Sequence, residues 1–99
     1  MSNSEQEKQA MINELYEVIA ATKNEKDVKD LFSDLLTIKE LEHLAQRIRA
    51  AKLILEGKTY QQIIDATEIS SATLSRVSRC VGYGSGGYRR FVKTDKEVK

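Results

Sequence analysis

A chain without proline that repeats one helix-start signal has little choice but helix. Ser4 with Glu7, Thr37 with Glu40 and Thr59 with Gln62 each place a hydroxyl three residues ahead of a Glu or Gln. That spacing closes a capping box. Behind the first signal, Met11, Leu15 and Ile19 follow at four-residue steps with Ile12, Tyr16 and Val18 beside them, predicting a helix to about Thr22. Asn24 can cap a shorter helix whose apolar face is Val28, Leu31, Phe32 and Leu35. Behind Thr37, the spacing of Leu41, Leu44, Ile48, Ala51 and Leu55 predicts a third helix over Ile38 to Glu56. Gly57 then stands where a left-handed residue ends a helix. Few β-branched alternations compete, so the fold class is all-α.

After Gly57 the elements shorten. Thr59 and Gln62 open a helix to about Thr67, Glu68-Ile69-Ser70 breaks it, and a second helix runs from about Ser71 to Cys80. Two short helices crossing steeply need apolar residues at the crossing and a tight turn between them. Ile63, Ile69, Leu74 and Val77 supply the crossing, and Ser70 or Ser71 the cap, so the segment reads as a helix-turn-helix. The outward positions of its second helix are Ser71, Ala72, Ser75, Arg76 and Arg79, small or basic and free of carboxylates. Such a set suits a helix entering a major groove, because short hydroxyls tolerate close approach while Arg reaches guanine edges or phosphates. Ile64 stands where a small residue is usual and Glu68 where glycine is usual; a strained left-handed Glu predicts a turn of different shape. A hairpin used purely for packing is the competing reading.

Charge is distributed to match the first reading. Residues 1–42 carry five Lys against ten acids, a balance of −5, and residues 43–99 carry eleven Lys and Arg against five acids, a balance of +6. No acid lies between Glu68 and Asp95. A near-neutral chain with one basic half suits a polyanion binder, and equally a solvated basic tail. Four glycines in the six residues from Gly82 to Gly87 predict a flexible strap that brings Arg89, Arg90 and Lys93 to phosphates, with Tyr83 and Tyr88 packing back on the hairpin. The expected organisation is a helical dimerisation core over residues 1–57, the helix-turn-helix over 58–81 and a loosely held Gly-rich basic tail over 82–99.

At 99 residues the chain is one small domain, and its long apolar helices suggest a core shared with a second subunit. No apolar run reaches the roughly 18–20 residues of a membrane span, and the start is polar. The single cysteine, Cys80, fits a reducing cytoplasm. Arg76 and Arg79 beside it could activate the thiol, but a small buried residue at a helix end explains it more simply. His43 has no second His or Cys partner, so no metal site is expected. With no nucleophile–base pair and no phosphate loop ending in Lys, an enzyme is not expected.

The run Leu35-Leu-Thr-Ile-Lys-Glu-Leu-Glu-His-Leu-Ala-Gln-Arg-Ile-Arg-Ala50, the helix end at Glu56-Gly57 and the hairpin together resemble the Trp repressor superfamily. Ala72-Thr-Leu-Ser-Arg-Val-Ser-Arg-Cys80, followed by Tyr83-Gly84 and Gly87-Tyr88, is similar to its YerC/YecD-type subgroup. The resemblance implies a multi-helix, intertwined homodimer with two projecting helix-turn-helix heads. Its implied activity is transcriptional regulation, as a repressor, on a palindromic double-stranded DNA operator. The DNA-facing set is then Lys58, Gln61, Gln62, Ser70, Ser71, Ala72, Ser75, Arg76 and Arg79, with Arg89 and Arg90 from the tail. By the same resemblance Leu36, Thr37, Arg47 and Arg76 match a corepressor pocket, Arg47 for a carboxylate and Arg76 for an aromatic face. Val77 takes space beside an indole, and Cys80 is a poor acceptor for an ammonium group. L-tryptophan therefore fits badly, and no cofactor or particular corepressor is assigned. A helical protein–protein adaptor that kept the hairpin without reading DNA is the alternative, with Ile64 and Glu68 in its favour.

Overall fold

The computed structural model describes residues 3–95, and most of its helices begin or end at a residue with a physical reason to do so. The order is α1 (Asn3–Ala20), α2 (Glu25–Leu35), α3 (Ile38–Leu55), α4 (Tyr60–Thr67), α5 (Ser71–Tyr83) and α6 (Gly87–Phe91), with no strand among the described residues. The Asn24 side chain accepts from the Asp27 N–H at 2.9 Å and starts α2. After α3, Gly57 sits at φ 85°. Its N–H donates to the Ile54 carbonyl and that of Lys58 to Leu53, both at 3.0 Å. This is a Schellman closure, which requires a left-handed residue that glycine alone adopts without a Cβ penalty. Thr59 and Gln62 form the expected capping box at the start of α4, through Gln62 N–H to Thr59 Oγ1 at 3.1 Å and Thr59 N–H to Gln62 Oε1 at 2.9 Å.

Contacts divide the chain between Ile38 and Lys39, so α3 belongs with the hairpin, whereas its spacing in the sequence groups it with the helices before it. In the first unit α1 and α2 leave large apolar side chains in solvent, among them Met11, Ile12, Leu15, Tyr16, Val18 and Leu35. In the second unit Ile63, Ile69, Leu74 and Val77 are at most 2% exposed and form one core with Ala50, Ala51, Val81 and Val92. The four residues expected at the crossing are thus the ones that fill it. Ala50 and Ala51 contribute no bulk, so the short helices can close directly on α3.

Three expectations are corrected. The turn after α4 is not reshaped to avoid strain: Glu68 itself takes the left-handed conformation at φ 60°, ψ 20°, with its N–H on the Ile64 carbonyl at 2.8 Å. Burial of Ile69 immediately after it outweighs the roughly 1 kcal/mol that a Cβ costs there. Second, α5 does not stop at Cys80 but continues through Gly82 to Tyr83. Val81 is buried in that last turn, and the Arg89 Nε–H donates to the Val81 carbonyl at 2.8 Å, satisfying a helix-end acceptor with a cation.

Third, residues 83–95 are folded and are not a loose strap, while the rest of the expected tail, 96–99, lies outside the described residues. A Cβ at Gly84 would lie 2.5 Å from the Cys80 carbonyl oxygen, so only glycine allows the chain to turn away that sharply. It then forms α6 and returns along α3, with Val92 and Thr94 buried. The Asp95 N–H donates to Glu56 Oε2 at 2.9 Å, and the Asp95 carboxylate lies 3.4 Å from Lys52 Nζ. Tyr88 is half-buried against the core, but Tyr83 is 91% exposed and packs on nothing.

Two stability measurements test this account. Leu74→Ala should cost about 3 kcal/mol in chemical denaturation, as a fully buried Leu in a crossing that cannot collapse. Glu68→Gly should instead stabilise by about 0.5 kcal/mol and raise the melting temperature by a few degrees, the relief of strain exceeding the added freedom of the unfolded chain.

Candidate nucleic-acid interface

Helix α5 advances about 100° per residue. On that wheel the buried Leu74, Val77 and Val81 fall on one side. Ser71, Ala72, Ser75, Arg76 and Arg79 fall within an arc of about 140° on the other, and all five are exposed. Its start is abrupt because Ser70 Oγ accepts the Thr73 N–H at 3.1 Å and donates to Thr73 Oγ1 at 2.9 Å. No carboxylate occurs on α5, and neither Arg76 nor Arg79 is ion-paired among the described residues. The two guanidinium groups border a shallow cleft of about 280 Å³ with Ala72, Ser75 and Cys80. Two unneutralised cations and small side chains on one exposed helix face can approach a polyanion without desolvating a carboxylate.

The other predicted contact residues are placed less uniformly. Lys58 is exposed in the turn before α4. Gln61 is exposed, with its amide on Asp65 Oδ1 at 2.8 Å, while Gln62 and Ser70 spend their side-chain acceptors on capping. Arg89 is tied to the end of α5, and the Arg90 guanidinium lies 4.8 Å from the ring centre of the exposed Phe91. Arg89 and Arg90 are therefore carried on a helix fastened to the head.

A sequence profile of the family described as Trp repressor protein matches residues 10–96. The chain belongs to the Trp repressor family. It is 38% identical over 88 residues to the uncharacterised protein YerC of Bacillus subtilis strain 168, covering 89% of this chain and 85% of that one. Among solved structures it is similar to a Trp repressor candidate from Staphylococcus aureus, with a TM-score of 0.75 and 34% identity over 87% of this chain and 91% of the other. A TrpR-like protein from Eubacterium eligens gives a TM-score of 0.75 with 38% identity, over 82% and 84% of the two chains. The architecture is thus the all-α, multi-helix fold of this family with its helix-turn-helix.

The residues matching the family's corepressor pocket are not gathered into one cleft in the second unit. Arg47, half-buried on α3, lines a polar cleft of about 310 Å³ with His43, Gln46, Glu68, Ser70 and Thr73, which the Gln46 amide helps to shape by donating to the Thr67 carbonyl at 2.9 Å. Arg76 and Cys80 open instead onto the outer face of α5. Leu36 and Thr37 lie in the first unit. Val77, at 1% exposure, is part of the head core. A larger cavity of about 640 Å³, between α3 and α6 and including Ile48, Cys80, Tyr88 and Phe91, had no signature in the sequence.

Proposed function

We propose that this Trp repressor family protein is a transcriptional repressor that binds double-stranded DNA as a homodimer. The observation that carries this reading is the exposed, carboxylate-free arc of α5, backed by a family that is a regulatory, DNA-binding class and not an enzymatic one. Helix α5 is the reading helix, entering the major groove with Ser71, Ala72 and Ser75 near its leading end. Arg76 and Arg79 serve base edges or phosphates, and Lys58, Gln61 and the α6 arginines serve the backbone.

The homodimer is supported by what one chain leaves open. Ile38 is 76% exposed, and Leu41, Leu44 and Ile48 continue that open stripe along α3. A monomer rarely exposes so many large apolar side chains, and an intertwined partner would cover them. Two-fold symmetry then requires a palindromic operator with half-sites about 34 Å apart, or a multiple of that. Such work is cytoplasmic, and no helix among the described residues is long and apolar enough to cross a membrane. The adaptor reading has less support than the sequence offers it: Ile64 packs against the core, and Glu68 adopts the turn it was expected to disturb.

Selection of genomic fragments with the purified chain, followed by mobility-shift titration across salt, tests the proposal. A preferred palindromic fragment is expected; equal binding to all fragments, or none, defeats it. Arg79→Ala should weaken that binding about tenfold or more and flatten its salt slope by about one counterion, while Lys39→Ala changes little. Sedimentation should give twice the chain mass, and Leu44→Asp should shift the protein toward monomer with loss of operator binding.

A further inference from the structure

Tyr83 is the most exposed of the large apolar side chains, at 91%, and its hydroxyl has no hydrogen-bond partner among the described residues. Its position on α5 gives that exposure a direction. Twelve residues after Ser71, it falls at about 120° on the helical wheel, between Arg79 and Arg76. It therefore continues the arc of Ser71, Ala72, Ser75, Arg76 and Arg79 by one more turn.

The turn that carries it is held on two sides. The Gly84 N–H closes on the Cys80 carbonyl at 2.9 Å, and the Arg89 side chain closes on the Val81 carbonyl. The chain leaves the helix immediately afterwards, because nothing larger than glycine fits at position 84. The backbone of the last turn is thus fixed while the phenol is open to solvent on the same helical face as Arg79 and Arg76. With two side-chain torsions, it loses little freedom on contact.

Distance along the axis decides what the phenol can meet. At about 1.5 Å per residue it lies some 18 Å beyond Ser71. A major groove is about 12 Å wide and 8.5 Å deep, so a helix that enters by its leading end has reached the groove wall at that distance. Phosphate oxygens line that wall, and tyrosine hydroxyls are among the groups that donate to them.

Resting on the DNA-binding reading above, we propose that the Tyr83 hydroxyl of each α5 donates a hydrogen bond to a phosphate at the edge of the half-site, anchoring the far end of the reading helix. The contact positions the helix and carries no sequence information. Being uncharged, it adds affinity without adding counterion release.

The test uses the full chain and compares Tyr83→Phe with the parent protein on a selected genomic duplex and on a random duplex of equal length. Lys39→Ala, an exposed residue at the start of α3 away from the cationic face, is the control. Expected is a loss of about three- to tenfold in affinity for Tyr83→Phe on both duplexes, with parallel salt slopes, and little change for Lys39→Ala. An unchanged Kd for Tyr83→Phe overturns the proposal, even if Tyr83→Ala binds weakly. A loss confined to the selected duplex also overturns it, since that is base reading, and so does an altered sedimentation mass, since that makes Tyr83 a subunit contact. If the parent protein binds neither duplex, the DNA-binding reading itself fails and this contact falls with it. An unchanged melting temperature for Tyr83→Phe excludes misfolding as the cause of any loss.

Discussion

The apolar crossing of α4 and α5 over α3 is the contact on which the basic end of the chain depends. Ile63, Ile69, Leu74 and Val77 are nearly inaccessible, and they meet Ala50 and Ala51, which keep the three helices close. Each of these short helices would be unstable alone, since most helical stability in proteins comes from packing an apolar face and not from propensity. Burying one side of α5 fixes its rotation, and the rotation fixes what the other side presents. Ser71, Ala72, Ser75, Arg76 and Arg79 face outward because Leu74, Val77 and Val81 cannot. The cationic face is therefore a consequence of core packing.

The same core explains why the glycine-rich segment is ordered. Val81 and Val92 stand on either side of it and both enter the cluster, so the intervening chain is closed into a loop with short, fixed ends. Loop closure over so few residues costs little once both anchors are buried. Arg89 then spends its guanidinium on the Val81 carbonyl at the end of α5. A basic residue that composition assigns to solvent or to phosphate is in part a helix cap.

How much was legible in the sequence depended on whether a signal was local. Asn24, Gly57 and the Thr59–Gln62 pair act within four residues of themselves, and each does in the structure what its spacing implies. The crossing was legible too, because a steep helix pair needs apolar residues at a few fixed offsets. Tyr83 was misread for a physical reason: four nearby glycines suggested that the helix must end at Cys80, which removed Tyr83 from the wheel. Burial of Val81 and the Arg89 contact come from tertiary structure, and they carry the helix past Gly82 in spite of its propensity. The 100° period, extended through Gly82, was the signal that could have found it. The cleft beside Arg47 was illegible for the opposite reason, since it joins α3 to the hairpin turn across more than twenty residues of sequence.

Burial separates the two halves of this fold. The head closes its core within one chain, because Ala50 and Ala51 let Ile63, Ile69, Leu74 and Val77 pack directly against α3. Along α1, α2 and α3 other large apolar positions, Met11, Leu15, Leu35, Leu41, Leu44 and Ile48, stay open in a single chain. Roughly 25 cal/mol is gained per Å² of apolar surface removed from water, so these positions amount to a large unrealised stabilisation. On the homodimer reading that stabilisation is collected by association, while the head stays rigid without it. On the same reading, two preformed heads are spaced by a shared core whose helices are the ones left open in a single chain.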